Sequence, residues 1–213
     1  MNMKMFNSLC KFILTTSAKY TIDETHGILH SMNVLHYAHN IYESEVYQNP
    51  SIKDQRHIVY LSATLHDMCD NKYMDENTGL KHLSEFLESK ITNEDNNAIL
   101  SIVRTMSYSK VKANGFPNLG TYQSVYHIVR EADLLSAYDF DRCIIYDMKV
   151  HNKSFEAAFY GAEELFNNRV FRHSEDKLFT TEYAKNYAPI LHSQAIHRIR
   201  SWKRILHSSN KHL

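Results

Sequence analysis

The chain has 213 residues, 24 basic and 24 acidic for a formal net charge of +0, with 14 histidines and 3 cysteines. That balance gives no global field to draw nucleic acid or an anionic membrane surface, and no stretch approaches the roughly 18 apolar residues of a membrane helix. Five glycines, two of them in one loop, argue against a glycine-rich phosphate cradle, which needs clustered glycines for close backbone approach.

Taken in order, the N-terminal "MNMKMFNSLCKFILTTSAKY" has Lys4 before apolar residues and "TSA" after them, the order of a signal peptide. Lys11 interrupts that apolar run, so an amphipathic helix over 3–18 is the better reading. Helical periodicity continues over 24–47, then over 52–69, where Ile58, Val59, Leu61, Ala63 and Leu65 fill one helix. Helices follow over 76–90 and 93–107. The latter opens on Thr92-Asn93-Glu94-Asp95, which resembles a capping box, and carries Ala98, Ile99, Ile102, Val103 and Met106 on one face. Residues 107–122, "SYSKVKANGFPNLGTY", read as a loop with turn chemistry at Asn114-Gly115, Pro117 and Gly120, long enough for a lid or pocket wall. Val125, Ile128, Val129, Ala132 and Leu135 define a face of a helix over 121–138. The remaining helices fall over 140–150, 154–168 and 179–207, with Pro189 expected to kink or divide the last. Strand-like alternation is hard to find. The expectation is an all-α, single-domain helical bundle over 1–213, with a core over 24–138 and C-terminal helices over 139–213 completing the cleft. Cys10, Cys69 and Cys143 are odd in number and unclustered, which suits reduced thiols and a cytoplasmic setting.

The chemistry gathers at "YLSATLHDMCDNKY", where an apolar helical run meets His66-Asp67 with Asp70 one turn on. Neighbouring helical residues diverge by about 100°, so His66 and Asp67 meet one ion only with ligands from other helices. His30 sits four residues after His26 on one helical face, and Asp133 borders the apolar face of its helix, where an unpaired carboxylate would be costly to bury. A metal would compensate it.

The ordered set His30, His66-Asp67 and Asp133 resembles the signature of the HD-domain phosphohydrolase superfamily. "LHDMCDNKY", "EFLESKIT", "IVRTMSYSK", "HIVREADLLSAYD" and "RHSEDKLFTTEYAKNYA" are similar to stretches of its small nucleotide pyrophosphohydrolases, over about residues 25 to 202. The resemblance implies one divalent ion held by His30, His66, Asp67 and Asp133. Mn²⁺ is favoured, with Fe²⁺, Co²⁺, Ni²⁺ or Mg²⁺ as alternatives. It further implies a catalytic role for Asp70 beside His66 and Asp67, phosphate contacts from Lys72 and Lys177, and a weaker one from Arg130. His26 is expected beside the ligands rather than among them. Tyr73 reads equally as a base-stacking ring or a core residue.

The expected reaction converts a nucleoside triphosphate to monophosphate and pyrophosphate. A nucleoside 5′-monophosphatase and a non-catalytic nucleotide-binding module are the alternatives. The partner is a small nucleotide, with no membrane or nucleic acid and with a homodimer left open. Departures from the family pattern fall at Ile28-Leu29, Asn33, Leu134 and Ser136, and leave substrate identity open.

Overall fold

The computed structural model describes residues 1–209 and contains helices but no strands among them. Ten α-helices run in chain order: α1 Met3–Tyr20, α2 Ile28–Gln48, α3 Arg56–Leu65, α4 Glu76–Glu88, α5 Asn93–Thr105, α6 Tyr108–Asn114, α7 Gln123–Ser136, α8 Phe140–Val150, α9 Phe155–Asn168 and α10 Glu182–Ser209. Short 3-10 turns cover Pro50–Gln55, Gly120–Tyr122 and Val170–Arg172. The all-α expectation is met. No helix among the described residues is long and apolar enough to cross a membrane.

Two compact units divide the chain at Ser136/Ala137. In the first, α2, α3 and α7 pack on one another, with α5 against α3 and α4 against α5. The apolar faces legible in the sequence are those that pack: Ile58, Val59, Leu61, Ala63 and Leu65 of α3 and Val125, Ile128, Val129, Ala132 and Leu135 of α7 are all buried. Thr92 caps α5 by accepting the Asp95 N–H at 3.1 Å on its hydroxyl oxygen, the forward half of a capping box, and its hydroxyl donates to the Asp95 carboxylate. In the second unit α8 packs on α9 and α10 on α8, with Phe140 edge-on to Phe159 and Phe166.

Four local expectations are corrected. Helix α2 begins at Ile28 rather than 24, because Asp23 takes the Thr25 N–H at 2.8 Å on its side chain and the His26 N–H at 3.0 Å on its carbonyl. These bonds compete with the helix. The stretch 52–69 is a 3-10 turn followed by α3, which stops at Leu65. Residues 107–122 contain α6, a helix of seven residues with Val111 as its buried contact; its stop, Gly115, has φ +74. Pro189 does not divide α10. Ala184, Ala188, Leu191, Ala195 and Ile199 form one buried stripe across it, and that packing outweighs the hydrogen bond a proline removes. The end of the basic C-terminal segment, 210–213, lies outside the described residues.

Candidate metal centre

Three helices of the first unit each bring a part of the site. His30 lies in the first turn of α2, His66 and Asp67 directly follow the end of α3, and Asp133 sits in α7. His66 and Asp67 are thus in a tight turn rather than a helix interior: the N–H groups of Met68 and Asp70 donate to Leu65 and Asp67 carbonyls three residues back. The turn is held against α4 at Gly79, where a Cβ would stand 2.7 Å from the Cα and Cβ of Cys69. Any larger residue there would push the ligand-bearing turn away.

The donor atoms converge. His30 Nε2 and His66 Nε2 are 3.2 Å apart. Asp67 Oδ2 lies 3.4 Å from His30 Nε2 and 3.3 Å from His66 Nε2, and Asp133 Oδ1 lies 3.4 Å and 3.7 Å from the same two atoms. Donors bound at about 2.1 Å to one cation stand about 3 Å apart across a right angle, so the spacing of His30, His66 and Asp133 fits a single ion, with Asp67 Oδ2 beside the two imidazoles. The His66 ring donates from Nδ1 to the Ala63 carbonyl at 2.8 Å. In the neutral ring that bond leaves the lone pair on Nε2, the usual preparation of a ligand histidine.

Asp67 Oδ2 is buried without a hydrogen-bond donor. Lone pairs of two imidazoles and two carboxylates facing one another are favourable only with positive charge between them. Burial opposes an imidazolium at His66, yet the negative charges of Asp67 and then Asp133 push its pKa up to about 9. Burial also works against the two carboxylates, but the facing His66 and His30 rings hold both Asp67 and Asp133 well below the usual range. A divalent cation would satisfy the set and displace those protons, and imidazole–carboxylate donors suit Mn²⁺ and its neighbours. Asp133 is the more open carboxylate, its side chain 26% exposed against 13% for Asp67.

Around this centre the expected residues separate. Asp70 lies on the same turn, its Oδ1 accepting the Lys72 N–H at 2.9 Å and its Oδ2 3.7 Å from Lys72 Nζ. Lys72 is half-exposed. His26 stands edge-on to His30, ring centroids 6.1 Å apart. Lys177 is exposed in the turn ahead of α10, in the second unit, with φ +54.

Arg130 is corrected. Its side chain is 1% exposed, donates to Glu131 Oε1 at 2.9 Å and lies beneath the Phe116 ring at 4.7 Å. An enclosed, paired guanidinium does not meet a solvent-borne phosphate in this arrangement. Tyr73 is not an apolar core residue: the ring is half-buried, its hydroxyl donates to Asp23 Oδ2 at 2.6 Å and lies 3.0 Å from His26 Nδ1. Asp23 and Thr25 escaped sequence reasoning, although their place just before His26, in "IDETH", was the available signal.

No protein-family model matches the chain, and no curated protein does. Among solved structures, a Lactobacillus plantarum protein determined as a structural-genomics target is similar, with a TM-score of 0.69 at 20% identity over 97% of this chain and 99% of that one. At that identity the likeness speaks to the fold alone.

Proposed function

We propose that this chain is a divalent-metal-dependent phosphohydrolase of the HD-domain type, acting on nucleotides and favouring release of pyrophosphate from nucleoside triphosphates. The observation that carries the reading is the convergence of His30, His66, Asp67 and Asp133, with Asp67 Oδ2 buried and lacking a donor. When bound, Mn²⁺ would lower the pKa of a coordinated water and neutralise charge building on a phosphoryl oxygen. Asp70, held on the ligand-bearing turn, exchanges a proton at its carboxylate with the attacking water. Lys72, its side chain half in solvent, meets phosphate as a flexible point charge. The three free cysteines suit a cytoplasmic setting.

Metal analysis combined with phosphate release from a panel of nucleotides, with and without added pyrophosphatase, tests the reading. Phosphate that appears only with pyrophosphatase supports it. Release from monophosphates without that enzyme favours the monophosphatase, and stoichiometric metal without turnover favours a nucleotide-binding module. Asp70→Asn is expected to keep its metal and lose about 100-fold or more in turnover; an unchanged rate removes Asp70 from the mechanism.

A further inference from the structure

Beside the metal centre, Asp23, Thr25, Tyr73 and His26 form a hydrogen-bonded cluster whose proton count can be worked out. The Tyr73 hydroxyl donates to Asp23 Oδ2 at 2.6 Å, and the Thr25 hydroxyl donates to Asp23 Oδ1, which also accepts the Thr25 N–H at 2.8 Å. Each hydroxyl has one proton, and a carboxylate only accepts. Both protons are therefore committed to Asp23, in charge-assisted bonds stronger than a neutral alternative. The same two hydroxyl oxygens each lie 3.0 Å from His26 Nδ1. Toward that nitrogen they offer only lone pairs.

A bare Nδ1 would face two oxygen lone pairs with a third, so the ring must present N–H there. We propose that Asp23, acting through the hydroxyls of Thr25 and Tyr73, locks the His26 imidazole in its Nδ1-protonated form and so makes Nε2 the proton-accepting atom of this ring at the edge of the metal centre. The ring is well placed for that task. It stands edge-on to His30, ring centroids 6.1 Å apart. Asp23, Thr25 and Tyr73 are positioning residues: they act through His26 on whichever oxygen ligand it meets. The link to hydrolysis rests on the phosphohydrolase reading, while the locked tautomer does not.

Long-range proton–nitrogen NMR of the whole chain at mildly alkaline pH, with His26 assigned by comparison with His26→Gln, reads the tautomer directly. A pyrrole-type Nδ1 and a pyridine-type Nε2 are expected for His26; the opposite pattern in the wild-type protein overturns the proposal, with no variant needed. In Tyr73→Phe with Thr25→Val both hydroxyl acceptors are gone and only Asp23 Oδ2, 3.8 Å from Nδ1, remains, so the Nε2-protonated fraction of the ring should rise. An unchanged Nδ1-protonated ring would show that the hydroxyls do not set it. Tyr73→Phe alone should lower kcat about tenfold, with KM little changed. A locked tautomer without turnover on any nucleotide supports the relay and sinks the reaction, whereas normal turnover with the opposite tautomer sinks the relay alone.

Discussion

Arg130 and Asp133 stand three residues apart on α7, and each belongs to a cluster of charges withdrawn from water, yet the two clusters meet burial differently. Arg130 is paired with Glu131, whose side chain is 0% exposed, and is roofed by Phe116. Opposite charges there neutralise one another inside the chain. Around Asp133 the neighbours are His30, His66 and Asp67, all presenting lone pairs to one point. In the metal-centre reading proposed above, positive charge from outside the chain would complete that set. At Arg130 the charge is balanced by Glu131 although Nε and Nη1 are buried without an acceptor, whereas around Asp133 two carboxylates face two imidazoles and the charge itself is unbalanced.

The contrast can be broken first at its strongest point. Asp67→Ala should abolish stoichiometric Mn²⁺ binding and phosphohydrolase activity together. Its unfolding temperature should not respond to added Mn²⁺, whereas the wild-type protein should gain about 2.7 kcal/mol at a free metal concentration of about 100 Kd. A variant that still binds the ion and still responds would remove Asp67 from the ligand set. At the other cluster, Arg130→Ala removes the cation from beside buried Glu131 and should cost about 3–5 kcal/mol in denaturant unfolding. Replacing both residues by apolar ones of similar volume, Arg130→Met with Glu131→Leu, should recover most of that loss and leave metal binding intact. If the double variant instead loses the ion, the two clusters are not independent.

The smallest effect sharpens the comparison. His127 lies 3.4 Å from Arg130 Nη2 and receives the edge of Phe116. Burial and then the Arg130 charge lower its pKa to about 4, so it stays neutral at the pH where His66 draws a proton. A histidine depressed on folding contributes stability that is complete above its unfolded pKa near 6.5 and is lost as pH falls toward the folded value. Stability should therefore decline between about pH 6.5 and pH 4, by about 1–2 kcal/mol at the low end after allowance for partial exposure. His127→Gln should flatten that decline, and an unaltered slope would assign it to other groups.

Much of this was legible beforehand because helix faces are a local property. The apolar spacing that placed α3, α5 and α7 survives folding unchanged, since the side chains that repeat every three to four residues are those that pack. The boundaries were less legible. Asp23 and Asp70 each draw backbone N–H groups onto their side chains, and such local bonds set where α2 starts and how the turn after α3 runs. Neither competition can be read from hydrophobic periodicity. Arg130 shows the limit for charges: its spacing from Asp133 is a sequence fact, but whether it reaches solvent depends on Glu131 and on Phe116, fourteen positions away.

The sequence by itself determined that the chain is helical, where most helices lie, and that His30, His66, Asp67 and Asp133 are the donors to watch. Tertiary structure alone decided that the His30 and His66 rings meet each other and both carboxylates within 3.2–3.7 Å, that Arg130 is buried beside Glu131, and that Tyr73 and Asp23 bracket His26. The physical reason is range. Helix formation follows from neighbours three and four residues apart, whereas the balance between desolvation and pairing that fixes a buried charge depends on groups brought together from across the chain.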